Sequence, residues 1–249
     1  MRSFKEMRMS GRSALLVRFF VFATVALTGF AHHASAVTLD SVSHIHHVKV
    51  IENKVLVLTH EGLYELVGKN DMKLIGKDRI DVMGFTSLGK LLFASGHPAK
   101  GSKMPNPIGL VKSLDGGLTW KSVSLVGKVD FHFLEGAGSD LYGADSQTGK
   151  LMYSSDSGKT WKDLGENTFT DIAVSPKMSG MAIAIKDSEL LLTEQAFKST
   201  TKIKNTLKIT QIEWRKSGLY GLGGSSLYKS TNSGKTWTKL STFKGVPGI

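Results

Sequence analysis

From His44 onward the chain alternates short apolar runs with polar, glycine-rich breaks. Val55-Leu-Val-Leu58, Met181-Ala-Ile-Ala-Ile185 and Glu189-Leu-Leu-Leu-Thr193 have the length of strands. No long segment between the breaks keeps a 3.6-residue apolar period, so helical repeats are excluded. The pattern predicts an all-β chain of short strands.

One break is written three times. It reads Ser113-Leu-Asp115-Gly-Gly117-Leu-Thr119-Trp120, then Ser154-Ser-Asp156-Ser-Gly158-Lys-Thr160-Trp161, then Ser230-Thr-Asn232-Ser-Gly234-Lys-Thr236-Trp237. The tryptophans lie 41 and 76 residues apart, so a degenerate copy is expected between the second and third. A period near 40 residues indicates a propeller or a solenoid, and even short strands favour the propeller. The phrase has a turn mechanism. The Asp or Asn side chain folds back on backbone N–H groups, the Gly takes a conformation costly to other residues, and the Ser and Thr hydroxyls satisfy further turn groups. The Trp supplies an apolar plate between neighbouring units. The residues read as self-satisfied hairpins, with carbohydrate contact as the other use of such a set.

The pattern S-x-[D/N]-x-G-x-T-W resembles the Asp-box, or BNR repeat, of sialidases, sortilin-type receptors and many bacterial propellers. Two copies match in full and the third carries Asn232. The resemblance implies a β-propeller of four-stranded antiparallel blades, with the motif at the turn between third and fourth strands, away from the ligand face. Five units are visible, starting near His44, Ile80, Val129, Phe169 and Ile209. The fourth, with Met181–Ile185 and Glu189–Thr193, lacks the motif. The tail from Phe243 reads as the entrance to another unit. A five-bladed ring, a truncated six-bladed ring and a ring with Val37–Ser43 paired into the last blade are the three arrangements.

Residues 1–36 stand apart. Arg2, Lys5, Arg8, Arg12 and Arg18 make a basic head, Phe19–Ala31 an apolar core, and Ala34-Ser35-Ala36 a small-residue cleavage site. This is the pattern of a secretory signal peptide, with an uncleaved anchor as the rival; the core is short for a span of about 20 residues. The propeller domain is then 37–249, exported to the periplasm, the cell surface or the medium. Membrane contact is expected only through the leader. The chain has no Cys, so neither a disulfide nor a cysteine-linked lipid is available. Removing the leader takes away five basic residues and one acidic one, and the net charge falls from +11 to +7. No basic run with interleaved aromatics suggests nucleic acid.

In a propeller blade the start of the first strand and the end of the second open on the face opposite the repeated turn. The six histidines beyond the leader fall there: His44, His46, His47, His60, His97 and His132. Asp81, Asp130, Asp145 and Asp171 accompany them. Imidazoles mixed with carboxylates bind a divalent transition metal or serve as acid and base. The expected metal ligands are His44, His46, His97 and His132. The expected acid–base groups are Asp81, Asp130, His132 and Asp171. The stretch Ser95 to Gly109 is the longest loop and holds three of the five prolines, and loops of this kind carry function. The His44/His46, Ser95–Pro98 and Asp130–His132 segments also resemble a branch of bacterial propellers labelled glycosyl-hydrolase-like.

Sialidases hold the substrate carboxylate with three arginines, because guanidinium pairs with it in a fixed bidentate geometry. Only Arg79 and Arg215 follow the leader, so ordinary sialidase activity is excluded. Other glycosidases need two carboxyl groups about 5–10 Å apart, and the four aspartates supply candidates. The expected function is binding or hydrolysis of an extracellular glycan or small ligand, with a metal as the one cofactor in view. The alternative is a non-catalytic scaffold for a protein partner.

Overall fold

The computed structural model describes residues 37–244, and the expected leader, residues 1–36, lies outside them. The described residues form a five-bladed β-propeller. Blade 1 consists of β2 (Ile45–Ile51), β3 (Lys54–Thr59), β4 (Gly62–Leu66) and β5 (Asp71–Leu74), with β1 (Val37–Thr38) added at its outer edge. Blade 2 has β6 (Asp81–Leu88), β7 (Leu91–His97), β8 (Leu110–Ser113) and β9 (Lys121–Ser124). Blade 3 has β10 (Phe131–Ala137), β11 (Asp140–Asp145), β12 (Lys150–Ser154) and β13 (Lys162–Glu166). Blade 4 has β14 (Asp171–Val174), β15 (Ala182–Lys186), β16 (Glu189–Thr193) and β17 (Thr201–Ile203). Blade 5 has β18 (Gln211–Arg215), β19 (Gly218–Gly223), β20 (Ser226–Ser230) and β21 (Thr238–Thr242). Each is an antiparallel meander, and the five first strands line a central channel.

Burial follows position in the blade. The second strands of blades 1 to 4 are largely covered on both faces, with apolar runs such as Leu92-Phe-Ala94 and Ala182-Ile-Ala-Ile185, whereas β19 of blade 5 is half-buried and glycine-rich. The outer strands β13 and β21 are almost wholly exposed and correspondingly polar. Apolar clusters fill the four seams between successive blades. Blade 1 has a different neighbour on its other face: Val37, Leu39 and Val42 of the N-terminal segment pack on Val57, Tyr64 and Met72. The segment Val37–Ser43 therefore serves the first blade, through the β1–β5 pairing, and not the last, because its apolar residues cover a face that blade 1 would otherwise expose.

The repeated turn sits where expected, between third and fourth strands on the lower rim. Asp115 accepts from Thr119 N at 2.9 Å, Thr119 Oγ1 at 2.6 Å and Ser113 Oγ at 2.7 Å, and Asp156 repeats this with Thr160 and Ser154. These bonds hold both carboxyls down at a pKa of about 2. Gly117 and Gly158 need their identity twice over. Their φ values are 95° and 82°, and a Cβ would stand 2.3 Å from Leu63 Cδ2 and 2.1 Å from Leu110 Cδ2 of the preceding blade. Trp161 lies 4.9 Å from Phe131 and donates from Nε1 to Ser124 Oγ and Gly158 O.

Blade 4, which lacks the motif in sequence, keeps its turn. Phe197 N donates to Thr193 Oγ1 at 2.9 Å, as Gly158 N does to Ser154 Oγ, and Ala196 and Phe197 take φ values of 50° and 60°. Here a Phe stands in a glycine conformation, and its ring packs on Tyr142 and Phe169. That packing offsets the backbone strain.

Candidate metal-binding rim

The starts of the first strands and the ends of the second meet on the upper rim. In blades 1 to 3 the first strand carries one extra residue near its start. His46 intervenes where Ile45 faces Thr59 and His47 faces Leu58. Met83 and His132 intervene at the same place in blades 2 and 3. Such β-bulges re-aim a side chain. They define three equivalent positions in each blade. Two residues before the bulge stand His44, Asp81 and Asp130; at the bulge stand His46, Met83 and His132; just past the facing second-strand residue stand His60, His97 and Ser146.

Each seam joins the last of these positions to the first position of the next blade. At the seam of blades 1 and 2, His60 Nδ1 lies 2.9 Å from Asp81 Oδ1 and 3.2 Å from His46 Nε2, and His46 Nε2 is 3.5 Å from Asp81 Oδ1. At the seam of blades 2 and 3, Asp130 Oδ2 lies 3.2 Å from His97 Nε2 and 2.9 Å from His132 Nε2. Both groups bring two imidazoles and a carboxylate to one point, with ligand atoms within 4.8 Å of one another in each.

The second group has a supporting shell. His97 Nδ1 donates to Asn106 Oδ1 at 2.8 Å, which fixes the ring with Nε2 facing Asp130 Oδ2 at 3.2 Å. Asp130 is 4 % exposed; its Oδ2 also receives Ser146 Oγ at 2.8 Å, while its buried Oδ1 has no partner among the described residues. Asp145 fixes this carboxylate's backbone by accepting from Asp130 N at 2.9 Å and from Thr148 Oγ1 at 2.7 Å. In the first group burial pushes the His46 pKa down; His60, His44 and His132 add to this and Asp81 opposes it. A neutral imidazole is the form that binds a metal.

The four expected ligands thus divide. His46 belongs to the first group; His97 and His132 belong to the second; His44 contacts the first only through His60, ring edge to ring face at 5.0 Å. A single four-histidine centre is not formed, because the donors sit on two different seams. His60 takes the place expected of His44. Its signal was its position one residue past β3, the place His97 holds at the end of β7. His47 is turned into the seam, with Nε2 2.9 Å from Met83 O, and burial pushes its pKa down. Of the expected acid–base set, Asp81, Asp130 and His132 join the groups. Asp171 does not: its carboxylate accepts from Ile212 N at 2.7 Å and Ile172 N at 2.9 Å, stapling blade 4 to blade 5. Burial raises its pKa to about 6, with those bonds opposing and Glu135 adding.

Below the rim, Lys49 of β2 reaches across the channel to Glu135 of β10, with Nζ 2.5 Å from Oε1. Burial raises the Glu135 pKa against the pull of Lys49. For Lys49 burial works against the charge, but Glu135 with help from Glu213 and Asp171 outweighs it and holds the ammonium above its usual range.

No protein-family model matches the chain. No curated protein matches it either. Solved structures share the propeller fold. YCF48 bound to a D1 peptide is 17% identical with a TM-score of 0.50, over 83% of this chain and 70% of that one. The GH74 enzyme of Niastella koreensis is 15% identical with a TM-score of 0.56, over 78% and 30%. PorZ, a surface component of the type-IX secretion system of Porphyromonas gingivalis, is 14% identical with a TM-score of 0.53, over 82% and 29%. The chain spans about 30% of the length of the latter two. At these identities the likeness is one of fold, and the fold hosts a glycosyl hydrolase and protein-binding propellers alike.

Proposed function

We propose that this is an exported Asp-box propeller that binds a divalent transition metal on its upper rim and, through it, an extracellular glycan or small ligand. The buried carboxylate of Asp130 carries the reading. It stands 3.2 Å and 2.9 Å from two imidazole nitrogens, and one of its oxygens has no partner among the described residues. Burying such a group without a partner is costly, and a cation relieves the cost. Two imidazoles and a carboxylate suit zinc, iron or cobalt and leave positions open for a ligand or for water. Export rests on the sequence of residues 1–36. The Asp-box assignment rests on the three repeated turns and their internal bonds.

The test is titration of the purified protein with Zn2+ and Co2+, read by calorimetry and by the visible band of cobalt. Saturable binding at micromolar metal is expected. A folded protein that takes up neither ion overturns the reading. Because an open metal position also holds water, a glycoside-hydrolase screen of the loaded protein belongs beside a glycan-binding screen.

A protein-interaction role has one observation in its favour. A cavity of about 350 Å3 on the lower rim, between blades 1 and 2, is floored by Leu56 and Leu92 and edged by Leu114 and Leu118, which are 62% and 55% exposed. The other two copies of the motif carry Ser or Thr and Lys at the positions of Leu114 and Leu118. Binding of a protein partner that Leu114→Ser with Leu118→Ser abolishes, with metal uptake intact, would favour that role.

A further inference from the structure

The two metal-competent groups are side by side. Asp81 of the first and His97 of the second are direct cross-strand partners in blade 2, which sets their Cα atoms about 4.5–5.5 Å apart. His132 of the second group is near enough to act electrostatically on His46 of the first. Both groups have the same composition, and both stand at the top of a seam. The loop after β7 carries the exposed Lys100 and Lys103 and is tied to the second group by the Asn106–His97 bond.

Resting on the metal reading above, we propose that the two groups form a paired-ion centre whose ligand is an oxyanion, phosphate or carboxylate, held between the open positions of the two metals. Two divalent ions on adjacent seams repel each other. An oxyanion between them removes much of that repulsion, and the loop that carries Lys100 and Lys103 adds positive charge to the same side of blade 2. Anion and second metal then favour each other's binding by the same factor. The second group, with its buried carboxylate and supporting shell, fills first. The first group, open on its His60 side, fills second.

The test is a Co2+ titration of the purified protein with and without inorganic phosphate, and again with glucuronate, followed by the cobalt band and by calorimetry. Two equivalents are expected in wild type, the second about tenfold tighter with the anion that fits. Asp81→Asn and Asp130→Asn are each expected to retain one ion and to lose the anion effect, with far-ultraviolet circular dichroism reporting that each variant is folded. The phosphate and glucuronate arms identify the oxyanion class. Two ions whose affinities ignore both anions would sink the pairing while leaving the metal reading intact, as would a single equivalent in wild type. Absence of any bound ion would overturn both.

Discussion

Blades 1 to 3 and blades 4 and 5 follow one four-stranded plan, and they part company at the start of the first strand. In β2, β6 and β10 an extra residue interrupts the register; β14 and β18 pair without a break. The bulged strands run for 7, 8 and 7 residues and the regular ones for 4 and 5. All the described histidines lie in the bulged half. The contrast shows in the aspartates that open β6 and β14. Asp81 meets two imidazoles, whereas Asp171 accepts from the backbone of its neighbours and staples the seam to blade 5. The fold supplies the same carboxylate position in both halves. The bulge and the imidazoles beside it turn that position from a seam fastening into part of a group that could hold a metal.

The contrast breaks most directly by removing a bulge. Deleting His132 restores an unbroken β10–β11 register and takes away a donor. Metal affinity at the second seam is expected to fall by at least about 100-fold, measured by cobalt titration, with the melting curve still cooperative. Retained affinity would show that the bulge does not build the site.

A smaller effect tests the seam staple of blade 4. Asp171 has a folded pKa of about 6 against 3.8 for an ordinary carboxyl. Between those values the folded protein holds a proton the unfolded chain has released, so stability falls as pH rises through this window. Asp171→Asn escapes this. Its stability relative to wild type is expected to improve by roughly 2 kcal/mol between pH 3.5 and 6.5, read from urea midpoints, with metal uptake unchanged.

Smaller again is the indole difference. Trp161 Nε1 has two acceptors, whereas Trp237 Nε1 is buried with none among the described residues. Trp161→Phe is expected to cost about 1 kcal/mol more than Trp237→Phe in denaturant melts; equal losses would erase the distinction. The last difference concerns acid. Asp115 and Asp156 have pKa values of about 2, below the ordinary 3.8, so their contribution is present above pH 4 and lost as pH falls toward 2. Asn232 does not titrate. NMR is expected to show the turns of blades 2 and 3 loosening in acid while that of blade 5 holds.

How much of this was legible from the residues alone divides along physical lines. The thrice-written turn was legible because its bonds are local: Ser113, Asp115 and Thr119 satisfy one another within the phrase. The histidine rim was legible because strand direction fixes which ends share a face. The grouping of the donors was not, since a one-residue bulge leaves no mark in composition and the aim of His46 and His132 depends on how β2 and β10 pair with β3 and β11. The turn of blade 4 was hidden for a related reason. Phe197 replaces the glycine, and what compensates it, the rings of Tyr142 and Phe169, comes from distant sequence. The role of His47 depended likewise on Met83 O of another blade.

The Lys49–Glu135 bridge gains meaning beside the bulges. Lys49 stands three residues after His46 on β2, and Glu135 three after His132 on β10. The bridge and the two bulged imidazoles therefore sit on the same pair of strands, one above the other, like the crossbar and the tips of a pair of tongs. The bridge ties blade 1 to blade 3 across the channel, and removing one partner would leave the other charge half-buried and unpaired in the middle of the ring.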